Sequence, residues 1–154
     1  MLEALSMVTE RDDVRSRWDT PAYKPLKYAR SCYCHLAGEL GVRQQDALLA
    51  QGVLVQSADG ALTLSPDADK RLRDAHFDDE AIASLQRDST KKRFACRCMD
   101  WSERREHLAG VFATRRLVHF IETGWLRKGK TGRALTETPL GVRALATLFV
   151  VDCA

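Results

Sequence analysis

The chain has 154 residues, 45% hydrophobic and 29% charged, with a formal net charge of +3. That balance suits a chain that buries a core, and it argues against a disordered segment or a membrane span; five cysteines are too few for a disulfide scaffold. The amino-terminal MLEALSMVTERDD carries charges where a secretory signal needs an apolar stretch. A cytoplasmic protein with reduced thiols and no membrane partner is therefore expected. The charge is uneven: residues 1–90 hold 11 Lys and Arg against 15 Asp and Glu, whereas residues 91–154 hold 13 against 6.

Residues 1–24 read as an amino-terminal helical or linker segment. Tyr28, Cys32, Leu36 and Leu40 then recur at four-residue steps, with Ala29, Tyr33 and Ala37 beside them. This pattern predicts an amphipathic helix over 28–40, broken at Gly41. A second short helix is expected from Val42 to Gln51, ended by Gly52. Val53–Val55 and Ala61–Leu64 flank Asp59-Gly60, a tight-turn dipeptide, and read as a two-stranded wing. Ser65-Pro66 supplies an N-cap and a first-turn proline for a third helix ending near Ala75. Asp78 to Arg87 reads as one further helix, followed by a polar linker over Asp88 to Lys92.

The segment from His35 to Leu72 is then written a second time, from His107 to Leu145. His35-Leu36-Ala37-Gly38, Arg43, Gly52, Leu54 and Gly60 match His107-Leu108-Ala109-Gly110, Arg115, Gly124, Leu126 and Gly132 at a constant offset of 72. After one inserted residue, Ala61-Leu62-Thr63, Pro66 and Leu72 match Ala134-Leu135-Thr136, Pro139 and Leu145. Asp100-Trp101-Ser102-Glu103 reads as a capping box opening the first helix of the second copy. Thr138-Pro139 caps its last helix, which runs through Val142, Leu145, Leu148 and Phe149. One supersecondary unit used twice predicts two lobes across a pseudo-twofold axis. The expected class is α+β, mainly helical, with tandem degenerate winged-helix-like repeats at 25–77 and 98–154, joined by a helix and linker over 78–97.

ARSCYCHLAGELGV (29–42), CMDWSERREHLAG (98–110), GWL (124–126) and GRALTETPLG (132–141) resemble the carboxy-terminal region of a group of ArsR-type winged-helix transcriptional regulators. The resemblance spans about residues 1 to 146 and implies a regulatory, ligand-sensing or dimerising module of a repressor. MLEALSMV then resembles the end of a dimerisation helix, which implies a homodimer. The DNA-binding winged helix that the family carries upstream is expected to be missing from this chain, so DNA is a weak partner or one reached through that domain. Cys34 stands where the family shows Asp, and Cys96 where it usually has no thiol.

Cys32-Tyr33-Cys34-His35 and Cys96-Arg97-Cys98, with Asp100 and His107, are the constellation able to carry chemistry. On a helix Cys32 and Cys34 lie about 200° apart and cannot share an ion, whereas Cys32 and His35 share a face. The preferred reading is that Cys32 and Cys98 are small buried hydrophobes. No bound metal or cofactor is expected on that reading. The alternatives are a mixed zinc site of Cys32, His35 and Cys98, and a redox switch at Cys98 with its thiol pKa lowered by Arg30, Arg97 or Arg104. His35 and His107 are expected on helix surfaces or in hydrogen bonds, and Trp101 and Trp125 as core anchors. A small-molecule effector pocket between the lobes would be lined by Tyr33, Trp101 and Arg104. Arg115 and Arg116, with Arg127, Lys128, Lys130 and Arg133 on the second wing, are the nucleic-acid candidates. No Gly-rich phosphate loop, nucleophile elbow or H-E-x-x-H motif is present, so no enzyme is expected.

Overall fold

The computed structural model describes residues 20–130 and 132–151, where the fold is α+β with six helices and four two-stranded antiparallel hairpins. The amino-terminal helix expected at MLEALSMV lies outside the described residues. In chain order the elements are α1 (Lys24–Tyr28), β1 (Arg30–Cys32), β2 (His35–Ala37), α2 (Glu39–Ala50), β3 (Leu54–Gln56), β4 (Leu62–Leu64), α3 (Asp69–Asp74) and α4 (Asp79–Asp88). Then follow β5 (Cys96–Met99), β6 (Glu106–Ala109), α5 (Val111–Glu122), β7 (Leu126–Lys128), β8 (Leu135–Glu137) and α6 (Pro139–Leu148). No helix among the described residues is long and apolar enough to cross a membrane.

Both wings form as the Asp-Gly turn and its counterpart predict, with Leu54 opposite Leu64 and Leu126 opposite Glu137. Gly52 and Gly124 end α2 and α5 in the left-handed region, at φ 70° and 76°. Thr138 caps α6 by accepting from Gly141 N at 3.0 Å, and Asp78 caps α4 by accepting from Ala81 N at 2.7 Å. Ser65 accepts from Asp67 N at 3.2 Å but caps a turn, since α3 itself begins at Asp69.

The helix expected over 28–40 is instead the β1–β2 hairpin, with Cys32 paired to His35 around a loop of Tyr33 and Cys34. A four-residue step is also a multiple of the strand period of two, so the apolar stripe fits either structure. Tyr33 at φ 55° makes the turn that a continuous helix forbids. Gly41 breaks nothing. It lies buried inside α2, where a Cβ would stand 2.6 Å from the Leu36 carbonyl oxygen. The capping box of the second copy is likewise a turn: Asp100 Oδ1 accepts from Ser102 N and Glu103 N, both at 3.1 Å, and β6 follows rather than a helix. Each copy thus runs hairpin, helix, hairpin, helix, and a hairpin occupies the place of the first expected helix.

Two hydrophobic cores form, and each draws on both copies. One packs Leu48, Leu54, Leu62, Leu64 and Leu72 of the first copy around Leu108 and Phe112 of the second and Phe94 of the segment leading into it. The other packs Ala29, Leu36 and Leu40 against Leu117, Phe120, Trp125, Leu135 and Leu145. Backbone pairing follows the same exchange. Ser31 N donates to Arg133 O at 2.9 Å and Leu135 N to Ala29 O at 3.0 Å, and Leu62 bridges Ala95. The first hairpin of each copy therefore packs on the wing of the other. Gly38 and Gly110, at φ 83° and 91°, let each hairpin turn into its helix, where a Cβ would meet a carbonyl oxygen at 2.6 and 2.5 Å.

Interlocked cores have two testable consequences. Urea unfolding is expected to be one cooperative transition, and a fragment ending at residue 90 is expected to show no protease-resistant core, because it lacks part of both. Gly110→Ala is expected to lower stability by about 2 kcal/mol through the strained φ and the backbone clash, read from the shift in urea midpoint.

Candidate functional site on the pseudo-twofold axis

Residues at equivalent positions of the two copies touch one another. His35 Nε2 lies 3.0 Å from His107 Nε2, and Arg116 Nε donates to Gln44 Oε1 at 2.9 Å; both pairs are 72 residues apart. Contact between a residue and its own counterpart is the mark of a twofold interface. The axis therefore runs between β2 and β6 and between α2 and α5, and its contacts are polar and buried.

At one end of the axis, each hairpin contributes a cross-strand pair: Cys32 opposite His35, and Cys98 opposite His107. Opposed residues on one face of a hairpin have side chains within reach of each other. The four donor atoms of Cys32, His35, Cys98 and His107 all lie within 4.8 Å of one another. Both imidazoles are buried and both thiols half-buried. This donor set could hold a metal ion. Burial, then the proximity of His107, pushes His35 down to about 4, so it is neutral near pH 7 with a lone pair to offer. Burial and the adjacent Cys32 push the Cys98 thiol up.

Asp100 anchors the arrangement. Its carboxylate is fully buried, accepts from His107 Nδ1 at 2.9 Å and from Gly38 N at 2.7 Å, and pairs with Arg30 at 3.0 Å. Burial opposes its ionisation, but the His107 hydrogen bond, then Gly38 N–H, Arg30 and Ser102, hold the carboxyl well below the usual range. Arg30 also donates to Ser102 Oγ at 2.9 Å and to Leu26 O at 3.1 Å. Asp100 thus fixes one imidazole and ties it to the other copy.

The expected sensor residues divide accordingly. Arg30, Cys32, His35, Cys98 and Asp100 come together, and His107 and Gly38 complete the group. Trp101 and Tyr33 are 79% and 85% exposed, so Trp101 is no core anchor, whereas Trp125 is buried as expected. Trp101 lies in the turn between β5 and β6, with its ring in solvent. Arginine activation of Cys98 has no geometric support: Arg97 reaches Glu106 and Gln56, and Arg30 is held by Asp100. Arg104 is exposed in the turn at φ 54°. Tyr33, Trp101 and Arg104, expected to line an effector pocket, do not line the cavity that lies between α4 and α5. This cavity has a volume of about 520 Å³ and is lined by Phe77, Leu85, Arg115, Val118 and His119 among others.

Two of the nucleic-acid candidates are committed elsewhere. Arg115 binds Ser84 at 3.1 Å and Asp88 at 2.8 Å. Arg116 is 3% exposed, lies over the Phe112 and Phe120 rings at 5.5 and 5.0 Å, and is pushed down to about 9 by burial. Arg127, Lys128, Lys130 and Arg133 stay exposed on the second wing.

The chain is 30% identical over 148 residues to YdfF of Bacillus subtilis (strain 168), an uncharacterized HTH-type transcriptional regulator. That alignment takes in 92% of this chain but 60% of the relative, so the chain spans less than two thirds of its length. No family model matches the chain. No solved structure matches it either.

The Arg116–Gln44 pair offers a test of the axis. Gln44→Leu is expected to cost about 2 kcal/mol, because it leaves a buried guanidinium without its hydrogen-bond acceptor. Arg116→Met combined with Gln44→Leu removes both polar groups and is expected to restore or exceed the original stability. Chemical denaturation of the two variants, compared with the unaltered chain, measures the coupling.

Proposed function

We propose that this chain is a non-enzymatic regulatory module of a transcription regulator, and that it senses an effector at the axis where its two copies meet. The observation that carries this reading is the Cys32, His35, Cys98 and His107 group, drawn from both copies and tied across them by Asp100. An effector bound there contacts both interlocked halves at once, so its binding energy bears on how they are clamped together. The similarity to an HTH-type regulator supports the regulatory role, as does the resemblance to ArsR-type proteins. Within this reading each copy, over 25–77 and 98–154, is a degenerate winged-helix-like unit that keeps its wing and replaces its first helix by a hairpin. The module acts within a cytoplasmic homodimer, which sedimentation can check. The groove between α4 and α5 is the alternative place for a small-molecule effector.

A second reading rests on the exposed wing cations Arg127, Lys128, Lys130 and Arg133. They suit phosphate contact without base readout. The two readings separate in a gel-shift assay across a salt series. This chain alone is expected to bind duplex DNA weakly, without operator preference, and to lose that binding steeply between low and moderate salt. Tight, sequence-selective binding at physiological salt would refute the regulatory-module reading.

A further inference from the structure

The geometry points to a transition-metal site on the axis: Cys32, His35, Cys98 and His107 hold one zinc-class ion in a tetrahedral shell of two sulfurs and two nitrogens, and Asp100 positions His107 for it. This goes beyond the regulatory role and stands without it.

The donors are already gathered. In a tetrahedral zinc site, bonds of about 2.0–2.1 Å to nitrogen and 2.3 Å to sulfur set donors about 3.3–3.8 Å apart. The two Nε2 atoms are 3.0 Å apart, and all four donors fall within 4.8 Å of one another. A shift of a few tenths of an ångström opens the imidazole pair around an ion. Each hairpin acts as a bidentate arm, because Cys and His are register partners on the same face. The arms come from different copies, so the ion would cross-link β2 and β6 at the axis.

The chemistry of the set selects the ion. Two thiolates and two imidazoles suit zinc, whereas magnesium and calcium demand oxygen donors. Four protein donors leave no open position, which fits a structural or sensory ion rather than a catalytic one. His107 Nδ1 is engaged by Asp100 at 2.9 Å, which fixes the tautomer and aims Nε2 inward. Carboxylate support of a ligating imidazole is the usual arrangement around such ions. The same carboxylate accepts from Gly38 N and pairs with Arg30, so metal geometry is linked to the contact between copies. The two other described thiols are outside the set. Cys34 is exposed in the β1–β2 turn, and Cys96 lies opposite Ala109.

The test is cobalt titration of the full chain, stripped of metal and kept reduced. One equivalent of Co²⁺ is expected to give the intense visible bands of a tetrahedral complex and a near-ultraviolet thiolate-to-cobalt transition, both abolished by one equivalent of Zn²⁺. Zinc is also expected to raise the thermal midpoint. Cys98→Ala and Cys32→Ser should each cut the thiolate transition by about half or more, and the two together should remove it, with circular dichroism checking that each variant is folded. Cys34→Ala should leave the spectrum unchanged. Asp100→Asn should keep the tetrahedral spectrum while weakening affinity about 10–100-fold. A weak octahedral spectrum, a stoichiometry other than one, a thiolate band undiminished in Cys98→Ala or Cys32→Ser, or one lost with Cys34→Ala overturns the site. If Cys98→Ala does not fold, iodoacetamide protection of Cys32 and Cys98 by zinc in the unaltered chain decides: equal alkylation with and without zinc rejects it.

Discussion

Self-contact across the pseudo-twofold axis is the constraint on which the structure depends. His35 meets His107 and Gln44 meets Arg116, each residue facing its own counterpart. A duplicated unit satisfies such a contact only if both copies present the same surface to the axis, which fixes how β2, β6, α2 and α5 lie together. The axis is polar and therefore demanding. A buried guanidinium held by one amide oxygen and two aromatic faces stabilises little by itself, but a misaligned partner would leave it uncompensated. Gln44 Nε2 has no hydrogen-bond partner among the described residues, which is part of the cost of bringing these groups together.

Apolar packing supplies the stability that the axis does not. Each core takes its wing and last helix from one copy and its first hairpin from the other. The exchange explains why the helices α2 and α5 serve both cores. Phe112 and Ala113 at one end of α5 face the first core, whereas Leu117 and Phe120 further along face the second. Separating the copies would expose both cores at once. The axis is therefore protected by both hydrophobic cores.

This arrangement also accounts for where chemistry-bearing side chains end up. The hairpins cross at the axis, so a cysteine and a histidine from each are brought to one point, flanked by a buried carboxylate. The basic residues considered for nucleic acid are dispersed instead. The two candidates on α5 are absorbed into the fold, Arg115 by Asp88 and Arg116 by the axis, and those on the second wing remain in solvent. The surplus of positive charge in the second half is consequently a property of a wing and its surroundings more than of a helix able to enter a groove.

Local chemistry was legible in the sequence wherever neighbours in the chain decide the outcome. The offset of 72 announced the duplication, Asp59-Gly60 the wing, Gly52 the end of α2, and Thr138-Pro139 the start of α6. What the sequence could not settle was the run from Tyr28 to Leu40, because apolar residues at four-residue steps satisfy both helix and strand. The parallel placement of Cys32 and Cys98 ahead of the two repeats was legible, but their equivalent strand register was not. Eight residues separate Cys98 from His107 but two separate Cys32 from His35, so the cysteines fall out of the constant offset although their strand register is the same. Only the tertiary structure decided that hairpins replace helices, that the cores are shared between copies, and that four donors from two distant hairpins converge. Each depends on which surfaces bury one another, and that is fixed by packing across 72 residues rather than by any local preference.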